Sequence, residues 1–123
     1  MSLHDAVFGV SPAVRYVAVY RNGSLSSRQR AGIAGASAGE SDKYEELIVN
    51  PTLVTLLRQR GEIDCGGVDY ALIRYGNFFE FVVPLRDGHL SVGLEPTADA
   101  MALAGAICAL PAVSEARARV RLN

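Results

Sequence analysis

Apolar residues recur along this chain at two spacings, and each change of spacing marks a new element. Residues 3–10, LHDAVFGV, set Leu3, Ala6, Val7 and Val10 at helical intervals, and Ser11-Pro12 ends that short amphipathic helix. Residues 14–20, VRYVAVY, carry β-branched or aromatic side chains at alternate positions and stay apolar on both faces, as a strand covered on two sides does. Asn22-Gly23 tolerates the positive φ of a tight hairpin, and residues 24–30, SLSSRQR, return as a polar, peripheral strand.

Residues 31–39, AGIAGASAG, read as a small-residue loop. Ser41 is a helix cap, with Asp42, Glu45 and Glu46 near the positive end of the helix dipole. Tyr44, Leu47 and Ile48 then begin an apolar stripe that Leu53, Val54, Leu56 and Leu57 continue. Pro51 removes one backbone donor, so the helix either kinks there or restarts with Asn50 as its cap; Gly61 is the expected stop. Three more strands follow. Residues 68–75, VDYALIRY, turn at Gly76-Asn77 into residues 78–85, FFEFVVPL, and Arg86-Asp87-Gly88-His89 leads to residues 90–95, LSVGLE. Thr97 is the expected cap of a last helix over residues 98–110, which Pro111 ends or bends ahead of a solvated tail.

The order is therefore α-β-β-α-β-β-β-α. A hairpin and a three-stranded meander joined through a helix predict one α+β domain over residues 1–123, with a five-stranded antiparallel sheet. Strands apolar on both faces call for helices on both faces, an α/β/α sandwich of profilin-like or PAS-like type. An open sheet leaves two margins, and residues 68–75 read as an apolar edge that needs a partner; the plainer alternative places that strand inside the sheet.

Composition narrows the function classes. The 123 residues are 50% hydrophobic with 12 basic and 13 acidic side chains, which gives no electrostatic reason to expect nucleic acid or an anionic membrane as partner. The two cysteines, Cys65 and Cys108, form no CxxC pair, and no secretory leader precedes them, so the chain reads as cytoplasmic with both thiols reduced. The apolar run over residues 100–113 is too short to span a bilayer and contains Pro111.

Two segments, VRYVAVYRNGSL (residues 14–25) and YALIRYGNFFEFVVPLRDGHLSVGLE (residues 70–95), together with the order of elements, resemble the roadblock family of dynein light-chain and GTPase-associated proteins. Pro51 departs from the family's long central helix. The resemblance implies a non-enzymatic homodimer in which central helices pack side by side and third strands pair edge to edge. The joint surface would regulate a Ras-like GTPase or hold an adaptor chain. Carried onto this sequence, it implies dimer contacts at Tyr44, Leu47, Leu53, Leu56, Leu57, Tyr70, Leu72 and Arg74, and partner contacts at Arg58 and Arg60. The competing expectation is a PAS-like or profilin-like domain that senses a small ligand in a cavity between sheet and helix.

Catalytic, cofactor and metal signatures are absent from the sequence. GIAGASAGES lacks the lysine of a phosphate loop and has GxxGxxxG in place of GxGxxG, so it reads as a connector. Cys65 and His89 sit in loops with nothing to mark them as nucleophile and base, and His4 has no second ligand at helical spacing. Glu80 interrupts an apolar strand. It is expected to pair across the turn with Arg74; the alternative is a buried carboxyl with a raised pKa. The small residues of the last helix suit close packing on the sheet beside the first helix. Arg117, Arg119 and Arg121 belong to the solvated tail.

Overall fold

A tight turn with both central residues at positive φ, Asn22 at 51° and Gly23 at 81°, sets the first hairpin. The structure is a computed structural model that describes residues 2–33 and 38–117. Its strands are β1 (Val14–Arg21), β2 (Ser24–Gln29), β3 (Ala71–Arg74), β4 (Phe79–Leu85) and β5 (Gly88–Leu94). They form one antiparallel sheet in the order β2-β1-β5-β4-β3, so the chain is α+β with an open five-stranded sheet. The third strand lies at the margin as expected, but it is only four residues long.

Alternation sorts the sheet into two faces. Val17, Val92 and Phe81 stand side by side in register, as do Val19, Leu90 and Val83. This face packs on Val7 of α1 (Leu3–Phe8), on Ala100, Ala104 and Ile107 of α4 (Ala100–Cys108), and on Val113 and Ala116 of α5 (Pro111–Ala116). Alanines at the α4 contact let the helix lie close to the strands. Phe81, Leu85, Leu90, Leu94 and Ile107 are fully buried and form the bulk of the core. The opposite face carries Tyr16, Gly93 and Glu80 in one row, Ala18, Ser91 and Val82 in the next, then Tyr20, His89 and Pro84. A half-polar face needs a polar cover.

That cover is one continuous helical run: α2 (Gly39–Tyr44), a π-helical turn (Glu45–Val49) and α3 (Asn50–Asp64). Pro51 neither breaks nor restarts it. Asn50 stays helical at φ −65° and ψ −44°, and its N–H donates to the Glu45 carbonyl five residues back, so the chain widens by one residue just before the proline that cannot donate. Two hydroxyls bond back along the widened stretch, Thr52 to the Ile48 carbonyl at 2.6 Å and Thr55 to the Pro51 carbonyl at 2.8 Å.

Several local expectations change. The helix starts at Gly39 after Ala38, so Ser41 is inside it and is not its cap. Gly61 is also inside, where an added Cβ would lie 2.9 Å from the Gly67 carbonyl oxygen. The run stops instead at Gly66 and Gly67, both at positive φ, with the Gly67 N–H returned to the Gly61 carbonyl at 3.0 Å. Asp99, not Thr97, caps α4 by accepting from the Ala102 N–H at 3.2 Å. Pro111 opens α5, and the segment after it is not a free tail. Ala116 is buried, Arg86 donates to its carbonyl, and Arg117 pairs with Asp69. Arg119 and Arg121 lie outside the described residues, as does part of the glycine-rich connector.

Candidate functional site

The residues brought together under the helical run are mostly carboxyls and their partners. On the helix, Asp42, Glu45, Glu46, Val49 and Asn50 fall on the side toward the sheet. The π turn holds Glu46 and Asn50 there, and Asn50 Nδ2 donates to Glu46 Oε1 at 2.9 Å. From β5, His89 Nε2 reaches the same Oε1 at 2.8 Å, and Ser91 Oγ lies 2.8 Å from Glu46 Oε2. From β4, Glu80 Oε1 is 2.5 Å from Ser91 Oγ. Glu46, Asn50 and Ser91 are 0% exposed, and Glu80 and His89 are 2% exposed.

Counting protons assigns the states. A serine hydroxyl has one hydrogen, so it cannot donate to two carboxylates. Glu46 already accepts from His89 and Asn50, which marks it as the charged acceptor; Ser91 donates to it, and Glu80 donates to Ser91 as a neutral acid. Burial is the main cause that pushes the Glu80 carboxyl well above the ordinary range, and the charge of Glu46 adds to it. Tyr20 stacks on the His89 ring with centroids 5.5 Å apart and closes that end.

The other end opens into a cleft of about 540 Å³ lined by Tyr16, Asp42, Glu45, Val49, Tyr75, Phe78 and Gly93, with Glu46 and Glu80 also contributing. Gly93 makes the floor: a Cβ there would meet Tyr16 Cβ at 3.4 Å and the Phe78 ring at 3.7 Å. Tyr75 donates its one hydroxyl hydrogen to the Glu45 carboxylate, whose two oxygens lie 3.1 and 3.2 Å away. Burial, then the neighbouring Glu45 charge, pushes the Tyr75 phenol up to about 12. Asp42 is raised by burial and by Glu46, and Glu45 by burial and Glu46 against the opposing bond from Tyr75. The Tyr16 hydroxyl is buried without a hydrogen-bond partner among the described residues, and burial followed by the Glu46 charge raises it strongly. Arg15, itself buried, also lines the cleft and pairs with Glu95 at 3.2 Å.

This arrangement stores a proton and offers a negatively charged, aromatic-walled space. It is not a nucleophilic triad: Ser91 is sealed, and its hydroxyl faces Glu46 and Glu80 while His89 faces Glu46. Cys65 is exposed on the far end of α3 with its thiol on Asp64, and His89 is buried beside Glu46, so the two do not form a pair. His4 binds the Ser26 carbonyl at 2.8 Å. Both cysteines are free thiols, and no group of three or more His, Cys, Asp or Glu among the described residues has the geometry of a metal site. No helix among them is long and apolar enough to cross a membrane.

The expected ion pair between Glu80 and Arg74 does not form. Their strands are neighbours, yet Glu80 is opposite Ile73 and points under the helix, while Arg74 lies over the Phe79 ring at 5.0 Å and bonds to the Tyr75 carbonyl. The expected interface residues split as well. Leu47 and Leu56 are exposed, as are Ile48 and Ile63; Tyr44 is exposed at the wall of the cleft, and Leu53 and Leu57 are half-buried. Tyr70 and Leu72 are on the other face of the sheet, packed against the α4 and α5 core. Arg58 donates to the Leu85 carbonyl at 3.0 Å, and Arg60 pairs with Asp64 in solvent.

The sequence marks Glu46 and Asn50 only as helix-end residues, and it does not mark Ser91 or Tyr16 as site residues. One signal was available: His89, Ser91 and Gly93 occupy one face of a strand otherwise made of Leu and Val. Comparison with protein-family models finds no match for this chain, and comparison with curated proteins finds none either.

Proposed function

We propose that the protein is a non-enzymatic, homodimeric scaffold of roadblock type, joined through the outer side of its helical run and the β3 margin. The observation that carries this is a helix that is apolar outside as well as inside. Its inner side presents Glu46, Asn50 and Val54 to the sheet, while Ile48 (53% exposed), Leu56 (59%) and Ile63 (75%) are open to solvent. Apolar side chains gathered on one exposed side mark an interaction surface. The β3 margin adds unpaired backbone groups beside it, and an isologous pairing uses the same patch on both copies. On this reading the doubled helix surface, with Arg60 at its end, is what a Ras-like GTPase or an adaptor chain engages. Arg58, tied to Leu85, acts in the fold.

Sedimentation equilibrium tests the reading. A dimer at micromolar concentration that Leu56→Glu dissociates without loss of the folded circular-dichroism signal supports it. A monomer up to the hundred-micromolar range refutes it. The cleft favours a second reading compatible with the first, a ligand-sensing domain in which a small molecule sits between sheet and helix.

A further inference from the structure

We infer that the cleft beneath α2 and the π turn binds a small organic cation, an ammonium or guanidinium on an aromatic or short apolar body. Its charge would lie against Asp42 and Glu45, and its body over Gly93 between Tyr16 and Phe78. The inference rests on the ligand-sensing reading and names the ligand class.

Two independent observations converge. The first is space: about 540 Å³ with a glycine as floor, where any larger residue of β5 would close the gap between Tyr16 and Phe78. The second is an excess of negative charge. Asp42, Glu45 and Glu46 lie at helical spacing on one wall, and the one cation among the described lining residues, Arg15, faces Glu95. Glu46 is saturated by His89, Asn50 and Ser91, and Glu45 is held by Tyr75; Asp42 makes no side-chain hydrogen bond or ion pair among the described residues. Burial and then the Glu46 charge already raise Asp42 and Glu45, and a cation against them offsets that repulsion.

Anions do not fit this chemistry, because a carboxylate or phosphate would meet three acidic side chains. A purely apolar molecule would strip water from Asp42 and return no bond. Aromatic rings beside carboxylates suit an organic cation, which gains from the ring faces as well as from the charges.

The experiment uses the intact protein and four probes: phenethylamine, agmatine, the neutral phenethyl alcohol and the anionic phenylacetate. Calorimetric titration at pH 7.5 is paired with amide shift mapping by NMR. The expected result is saturable binding of at least one of the two cations, with shifts centred on Tyr16, Tyr75, Phe78 and Gly93. Asp42→Asn and Glu45→Gln should each weaken it about tenfold, the size expected for one charge–charge contact, while the melting temperature stays close to that of the parent. Equal binding of phenethylamine and phenethyl alcohol overturns the cation assignment and leaves a ligand cleft of another class. No shift with any of the four probes at millimolar concentration overturns both the assignment and the sensing reading.

Discussion

Replacing Glu80 by glutamine should make the protein more stable at neutral pH, against the usual cost of altering a buried group. In the fold the carboxyl keeps its proton because it is buried and because Glu46, across Ser91, already carries a charge. Unfolded, it ionises in the ordinary glutamate range. The folded state therefore binds the extra proton, and stability falls as pH rises from the unfolded value to the folded one. The slope in that window is about 1.4 kcal/mol per pH unit for one proton. Below the window the penalty vanishes. The amide of Glu80→Gln keeps the shape and donates to Ser91 Oγ as the protonated acid does, but it cannot ionise. Urea denaturation of both proteins at half-unit steps from pH 4.5 to 8 measures the difference. Asp42 and Glu45, also raised, titrate in both proteins and largely cancel. The variant should gain on the parent steadily through the window and meet it at the acid end. Parallel stability curves would show that Glu80 is ionised in the fold and would refute the proton count.

Ser91→Ala removes the hydroxyl between the two acids, and a loss of about 1–3 kcal/mol is expected in denaturant titrations. Gly61→Ala pushes a methyl group to 2.9 Å from the Gly67 carbonyl oxygen and should cost about 1–3 kcal/mol, measured the same way. Leu90→Ala, in the centre of the fully buried face, should cost about 2–5 kcal/mol in thermal or chemical unfolding. Arg58→Ala should lower stability by about 1–3 kcal/mol through its lost bond to Leu85, with no change in sedimentation behaviour.

Local signals were readable in the chain wherever the physics was local. Asn22-Gly23 and Gly76-Asn77 predicted their turns because the turn conformation is a property of those residues. The alternation of Phe79, Phe81 and Val83 against Glu80 and Val82 predicted the two faces of β4. What failed depended on distant neighbours. Gly61 looks like a helix stop, yet its small size serves the approach of Gly67 and Val68, six and seven residues on. Glu80 has Arg74 near it in the hairpin, but its partner is chosen by the register of β5 and by a helix that begins some forty residues earlier. The apolar stripe of the helix reads as core in any single sequence; only the polar residues on the sheet face explain why the helix turns its other side inward.

The two margins of the sheet differ in kind, and that difference limits how large an assembly can grow. Along β2 the chain is serine-rich and exposed, His4 already holds the Ser26 carbonyl, and Arg28 is engaged by Asp5. Such a border disfavours an incoming strand, while β3 is a short one with no strand on its outer side among the described residues. On the proposed dimer reading, joining two copies along β3 would use that side on both, and extension into a continuous ribbon would have no place to start.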